Sequence, residues 1–494
     1  IIKMIKLLKY FKLNKEELPF SVTRKLVKFI QNFTLKNTVF TLLLKEVNKN
    51  TNIPIKVLQQ KSNQILFRRF DFKLNKFKNF NLNLIFFDAF KFFSISLVNL
   101  VGHFFLTFHK VKKKEFDLLC DNVFSQLDVE RYSSLIKSFK KVCLLGSISP
   151  KKKIKNEKYF KYNIMLIGIS NSLIKEKTFF IIFGFKILYY SVKYNVNLYS
   201  IFLDLIYDIY KSKHIFSNIK SKYFITQKFY STSPIFNYYF KKNGGKLTSC
   251  TQKNICASSL SPFVFTDVMF TLGKGQGKIC NKLGGKVKKF VPVGSLFMEN
   301  VWFKKKKDLK KVPKTDVLIL GINTLFNHRH YVNNFYKEDY YGSYLKWLKK
   351  LSIEFPEKKF VLKHHGDYTN DPEERKILKD SNIKVLIKNE SINSSYAYAF
   401  KSKIVISFAS TMIIEILGHG KMAYFIDPGL RGDQWYRDIK KINKFRIGNY
   451  NKLRSLITQK TKISFGSKKL SEYFCLESQN TSKLISNYFK KNKI

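Results

Sequence analysis

The sequence predicts an α/β protein: two parallel-sheet halves facing a cleft, behind a basic, partly hydrophobic N-terminal extension. Three observations predict it. Short apolar runs alternate with helical stretches over two segments of similar size, the rhythm of strand–helix–strand units in a parallel sheet. A Lys-rich stretch at 304–311 separates the two segments. One stretch at 403–429, KIVISFASTMIIEILGHGKMAYFIDPG, reads as strand, tight loop, helix and strand without a break.

In that stretch Ile404, Val405, Ile406 and Phe408 form an apolar run suited to a strand buried on both faces. Ser410 and Thr411 stand where a helix starts, with Ser410 a good N-cap. Met412, Ile413, Ile416 and Leu417 supply its buried face, and Gly418 or Gly420 ends it. The next strand is 423–426, closed by Asp427-Pro428-Gly429. Such a unit puts Ser410 and Thr411 at the carboxyl end of a parallel sheet, where open α/β sheets bind ligands. The free N–H groups and dipole of the helix suit a phosphate there. Glu415, one turn further in, is placed to reach a ribose hydroxyl. The plain alternative is a Ser-Thr cap on an ordinary crossover.

The 494 residues carry 91 Lys+Arg against 34 Asp+Glu, a formal charge of +57. Two explanations compete. One is a nucleic-acid partner. The other is AT-rich coding combined with an anionic membrane surface as neighbour. The 49 Phe and 27 Tyr fit the second. The six cysteines are scattered with no C-x-x-C pair, which argues against zinc and for a reducing compartment. No cleavable signal peptide is visible.

Along the chain, 1–78 is Lys-rich with apolar residues at roughly helical spacing. It reads as amphipathic helices on a membrane or RNA surface, or as a solvated leader. The run 92–108 has the length of the shortest spanning helices but carries Asn99 and His103. It reads as an interfacial or buried helix, and the basic 110–114 after it suits anionic headgroups. The first half then offers a helix with Tyr132, Leu135, Ile136 and Phe139, and a strand at 142–145. Apolar helical segments follow over 163–219, with strands at 223–227, 247–252, 267–272 and 290–293 and a helix at 231–242. The loop GKGQG at 273–277 lacks the rest of a nucleotide fingerprint and reads as a turn.

The second half opens with a strand at 316–320 and a long loop holding His328, Arg329 and His330. A helix at 340–355 leads to a strand at 360–362, which delivers Lys363, His364 and His365 at its carboxyl end. Asp371-Pro372-Glu373 caps the next helix. A strand at 383–387 and a helix at 394–400 precede the stretch described first. Arg431, Asp433 and Trp435 follow it in a loop, and 453–457 and 470–490 read as closing helices. The implied division is 1–115, 116–303, 304–465 and 466–494. A cation, imidazoles and a helix start gathered at strand ends match a diphosphate leaving group, whose developing charge fixed donors stabilise. No D-x-D pair at a strand end calls for a metal.

The motifs KHHG at 363–366, FKSKIVISFASTMIIE at 400–415 and GKMAYFIDP at 420–428 resemble the donor half of GT-B glycosyltransferases. Within them they look most like bacterial surface-polysaccharide enzymes of the capsule-type and CDP-glycerol transferase-like group. VPVGSLFME at 291–299 resembles the segment that closes their acceptor domain. LTSCTQ at 247–252 stands where many carry a Gln-His-Gly turn, but here Lys253 and Asn254 follow Gln252. The resemblance implies two Rossmann-like domains and transfer of a sugar or alditol phosphate from a nucleotide-activated donor, with no other cofactor and no metal. Ser410 and Thr411 would hold the donor phosphates and Glu415 the ribose. His364 or Lys363, with His365 beside them, would neutralise the leaving phosphate. Gln252 and Arg431 are acceptor-side candidates. The acceptor would be lipid-linked or a growing oligosaccharide, and the enzyme cytoplasmic and peripheral on the inner face of the cytoplasmic membrane. The rival readings are a basic, RNA-bound, non-catalytic protein and a degenerate GT-B subunit.

Overall fold

A computed structural model describes residues 20–78, 82–106, 113–123, 126–146, 160–163, 174–227, 229, 232–252, 263–275, 277–299, 309–310, 312–321, 341–364, 371–386, 394–408, 410–430, 441–458, 472–477 and 480–491. Its framework is two parallel sheets. The first contains β1 (Lys114–Asp121), β2 (Val142–Gly146), β3 (Phe160–Asn163), β4 (Ile219–Thr226), β5 (Leu247–Thr251), β6 (Phe265–Thr271) and β7 (Lys286–Pro292), in the order β3-β2-β1-β4-β5-β6-β7. The second contains β8 (Thr315–Leu320), β9 (Phe360–Lys363), β10 (Ile383–Leu386), β11 (Ser402–Ser407), β12 (Met422–Ile426) and β13 (Arg446–Ile447), in the order β10-β9-β8-β11-β12-β13. Both are wound outward from their first strand and then reverse, the doubly wound Rossmann order. The predicted class, two Rossmann-like domains, is the one observed.

The strands form where the chain is apolar on both faces. Val317, Leu318, Ile319 and Leu320 of β8 are buried, and so are Ile404, Val405 and Ile406 beside them, with Val405 in register with Leu318. Helices cover both faces, as parallel sheets require. In the first half these are α5 (Gln126–Ile136), α6 (Ile174–Lys193), α7 (Tyr199–Asn218), α8 (Pro234–Lys242) and α9 (Gly277–Lys282). In the second they are α10 (Tyr341–Glu354), α11 (Pro372–Leu378), α12 (Ser394–Lys401), α13 (Met412–Gly418) and α14 (Tyr450–Thr458). The chain closes with α15 (Thr481–Lys491).

Three features differ from the sequence reading. The middle strand of the first sheet, β1, was not foreseen, because its apolar run is short and opens with Lys114 and Glu115 in the wake of a basic stretch. The described residues of the stretch 1–115, expected as an extension, are part of the first half. Its helices α1 (Phe20–Lys36), α2 (Thr38–Thr51), α3 (Ile55–Lys78) and α4 (Leu82–Leu106) share one core with α6, α7 and α8. Polar side chains of α3 are spent on that junction. Gln64 donates to the carbonyls of Phe263 (2.8 Å) and Thr232 (2.9 Å), and Lys61 pairs with Asp208 at 2.5 Å.

The third difference is at the end of the chain. Within the predicted 470–490 helix, α15 begins only at Thr481. The segment before it is a strap laid on the Gly-rich loop of the first half. Lys274 N–H donates to the Glu472 carbonyl (2.7 Å) and Leu476 N–H to the Leu272 carbonyl (2.8 Å). A Cβ on Gly273 would lie 2.4 Å from the Tyr473 oxygen, and one on Gly275 only 2.2 Å from the Tyr473 ring. The glycines read as a turn therefore permit a close backbone approach. Beyond the strap α15 packs against the first sheet, where the Phe489 ring stacks on Tyr223 at 4.9 Å.

Asp267 of β6 shows how a core edge is tied. Its carboxylate accepts from the Thr248 amide (3.0 Å) and hydroxyl (2.9 Å) and pairs with Lys288 (2.8 Å) and Lys241 (2.9 Å). Burial pushes its pKa up, but Lys288, the Thr248 amide and Lys241 outweigh burial and hold it at about 2. A depressed carboxylate stabilises the fold above its unfolded pKa, and that stability is lost as pH falls through the folded one. Asp267→Asn is expected to cost about 2 kcal/mol at pH 7. Urea denaturation of variant and parent should show the gap narrowing as pH falls from about 4 towards 2.

Candidate functional site

The reversal of strand order in the second sheet falls between β8 and β11. Gly321 follows β8, and Ser407 at the end of β11 donates to the Leu320 carbonyl at 3.0 Å, locking the two strand ends together. The chain then passes through Ser410 and Thr411 into α13. Ser410 Oγ accepts from the Met412 amide at 3.3 Å. The cap itself is Thr411, one residue later than the sequence suggests. It has helical backbone angles, and its hydroxyl makes no capping bond. Both residues are only half-buried.

β9 delivers Lys363 and His364 to the same end of the sheet, but both are buried. His364 Nε2 lies 2.6 Å from Glu374 Oε1 on α11, and Tyr341 on α10 donates to Glu374 Oε2 at 2.8 Å. A Cβ on Gly321 would stand 2.4 Å from His364 Nδ1, so the imidazole packs directly beneath the switch point. In this arrangement the ring is buried against the strand end. His365 and Arg431, and the loop residues His328, Arg329 and His330, lie outside the described residues.

Glu415 is at the junction of the halves. Its carboxylate accepts from Ser295 of the first half (2.5 Å) and from Tyr396 on α12 (2.8 Å). Burial and the neighbouring Glu415 charge push the Tyr396 phenol well above its ordinary range. Next to Ser295, the Phe297 ring stacks on Tyr396 at 6.2 Å and carries the Arg131 guanidinium 3.8 Å above its centre. Gly294 permits the preceding bend with a φ of 88°. Glu299 accepts from the amide (3.0 Å) and hydroxyl (2.7 Å) of Ser482, capping α15, while Thr481 donates to the Val293 carbonyl at 2.9 Å. The VPVGSLFME segment is thus the joint between the first half, the second half and the closing helix.

The first sheet reverses between β1 and β4. Asn122, at a φ of 62°, donates to Thr226 Oγ1 at 2.7 Å. Gln227 donates to the Asn122 carbonyl (2.5 Å) and to Asp128 (2.9 Å), and Asp128 also receives Arg131 at 2.8 Å. Gln252 is fixed nearby, its side-chain oxygen accepting from the Leu272 amide at 3.0 Å. Arg131, Gln227, Gln252, Ser295 and Phe297 line one small cavity. Sequence reasoning singled out Gln252 here and missed Arg131, Asp128 and Gln227. The available signal was Asp128-x-x-Arg131, an acid–base pair spaced to meet on the helix after a strand. Glu374, directly after the Asp371-Pro372-Glu373 cap, was likewise missed. Among the described residues no three His, Cys, Asp or Glu side chains gather as metal ligands would.

No family model matches the sequence, and no curated protein matches it. Among solved structures the chain is similar to the UDP-GlcNAc 2-epimerase from Neisseria meningitidis bound to UDP-GlcNAc (13% identity, 77% of this chain and 100% of that one, TM-score 0.44). It is also similar to the UDP-GlcNAc 2-epimerase from Methanocaldococcus jannaschii (10% identity, 76% and 100%, TM-score 0.41). A third is the wall teichoic acid polymerase TagF (11% identity, 84% and 98%, TM-score 0.45). These are GT-B-fold enzymes, the fold that the motifs resemble. The doubly wound order of both sheets rests on the strand pairings of this chain.

The packing of Gly321 on His364 is testable. Gly321→Ala forces a covered imidazole to move, an overpacking cost of about 1–3 kcal/mol. In a thermal-denaturation double-mutant cycle, His364→Ala should relieve part of that cost, so the double variant loses less than the sum of the singles.

Proposed function

We propose that this chain is a GT-B-type transferase of surface-polysaccharide biosynthesis, moving a sugar or alditol phosphate from a nucleotide-activated donor to a lipid-linked or growing glycan acceptor. The observation that carries this reading is the position of Ser410 and Thr411. Two half-buried hydroxyls and the amides beside them sit at the order reversal of a Rossmann-type sheet, next to the joint with a second such sheet. Doubly wound sheets bind their ligands at that point.

In this reading Ser410 and Thr411 take the donor phosphates. Their fixed donors stabilise charge as it develops on the leaving group. Glu415 exchanges Ser295 and Tyr396 for the ribose hydroxyls, so donor binding is felt at the joint. His364, held by Glu374, is a positioning residue that sets Gly321 and the strand end. Lys363 and His365 remain the candidates to neutralise the leaving phosphate. The acceptor approaches from the first half, past Gln252, Gln227 and Arg131, with Arg431 as a further acceptor-side candidate. No metal is needed if the protein supplies the positive charge. The enzyme works at the inner face of the cytoplasmic membrane.

Thermal shift with CMP, CDP, UDP, GDP and a short RNA tests this. At a hundredfold excess over Kd a bound nucleotide adds about 2.7 kcal/mol to native stability. One nucleotide family should raise the Tm of the parent, and Ser410→Ala with Thr411→Ala should abolish the response. Silence towards every nucleotide, together with tight, salt-sensitive RNA binding, would transfer the protein to the RNA-bound class.

A further inference from the structure

The helix pair α4–α6 carries an apolar face that no part of the described chain covers. On α4, Phe86, Phe87, Phe90, Leu97, Val98 and Val101 are exposed, Phe90 at 70%. Their spacing places them on one side of the helix, while Ile85, Ala89, Phe92, Ser96 and Asn99 form the buried side. On α6, Ile182 (66%), Phe185 (63%), Tyr189 and Val192 are exposed in the same way. The two helices are in contact along this face, with Phe93 4.9 Å from Phe185 and no room for a Cβ at Gly184 beneath Phe93. Together these side chains leave on the order of 1,000 Å² of apolar surface uncovered, against roughly 300–600 Å² for the largest patch of a typical monomer.

The charges around the face have one sign. Lys91 lies over the Phe87 ring at 4.0 Å, and Lys175 and Lys193 stand exposed at the two ends of α6. The acidic groups of both helices are engaged elsewhere: Asp88 accepts from Asn197 at 2.8 Å, and Glu176 is buried against Lys213. A second copy docked through this face would bring lysine against lysine. An anionic lipid surface offers an apolar interior behind negative headgroups, which matches both features.

The window Leu82–Gly102 has a mean hydropathy of 1.8, enough for a span by composition. Packing argues for the interface instead. One side of α4 is committed to α6 and α7, where Lys177 donates to the Asn99 carbonyl at 2.9 Å and Phe92 meets Tyr199 at 5.5 Å. The elements on either side of α4, α3 and β1, both belong to the first half. A helix whose two ends return to one domain does not cross a bilayer.

We infer that the exposed α4–α6 face enters the headgroup–acyl boundary of an anionic leaflet and that Lys91, Lys175 and Lys193 hold it there. The inference rests on the membrane location in the proposed function and names the surface responsible. It is tested by flotation of the full chain with phosphatidylcholine vesicles and with vesicles one-quarter phosphatidylglycerol. The parent should float with the anionic vesicles and at least tenfold less with the neutral ones. Phe90→Ser with Ile182→Ser, both mainly solvent-facing, should lower flotation at least tenfold. Leu484→Ser, an exposed apolar site on α15, should leave it unchanged. The inference is overturned if the double variant floats like the parent, or if the parent ignores both vesicles. It is also overturned if the double variant instead dissolves a dimer of the parent seen by sedimentation. The nucleotide thermal shift of the double variant, read separately, should equal that of the parent, so failure of this surface is distinguishable from failure of the donor site.

Discussion

One buried carboxylate joins the halves, and a second ties the closing helix to the first half. Glu415 belongs to the second half and accepts a hydroxyl from the first; Glu299 belongs to the first and caps the helix with which the chain ends. A carboxylate stripped of water must be hydrogen-bonded or it destabilises the fold by several kcal/mol. Glu415 keeps its Ser295 partner only while the halves meet as they do. The same Glu415 lies one turn into α13 from Ser410 and Thr411. A ligand that takes its oxygens therefore competes directly with the contact that joins the domains. In the proposed function such coupling needs no relay, since one side chain then serves both the site and the joint.

The division of labour between the halves follows. The second contributes hydroxyls and amides at its switch point, with a His–Glu–Tyr arrangement buried behind them. The first contributes the Arg131–Asp128–Gln227 cluster and also the α4–α6 face. In the proposed function, an acceptor carried on a lipid meets the half that bears the α4–α6 face, and a water-soluble donor enters the other.

Much of the fold was legible because parallel strands buried on both faces are written as unbroken apolar runs. The stretch around Ile404–Ile406 and the run at 317–320 are of that kind, and both lie where expected. The Pro234 and Asp371 helix starts were legible because capping is local chemistry: Ser233 and Asp371 accept from the Phe236 and Glu373 amides. What escaped was non-local. Nothing in Glu374 announces that it will meet His364, and nothing in Ser295 announces Glu415, 120 residues away. The glycines at 273 and 275 were visible as a turn, but their reason is the Tyr473 backbone and ring laid on them. The N-terminal helices were misjudged for a related cause. Their apolar positions have helical period, which says that a face is buried but not against what. In α4 both faces are apolar, one spent on the core and one left outward.

The return of α15 also dictates an order of assembly. Ile485 and Phe489 complete the cluster around Leu118, Tyr132 and Tyr223, so one face of the first sheet is finished by residues made after the whole second sheet. At roughly 5–20 residues per second, a growing chain spends on the order of 10–40 s making the second half before those residues exist. During that interval the first sheet stands in the cell with an uncovered apolar flank. A chain cut short in the second half therefore lacks the helix that covers that flank.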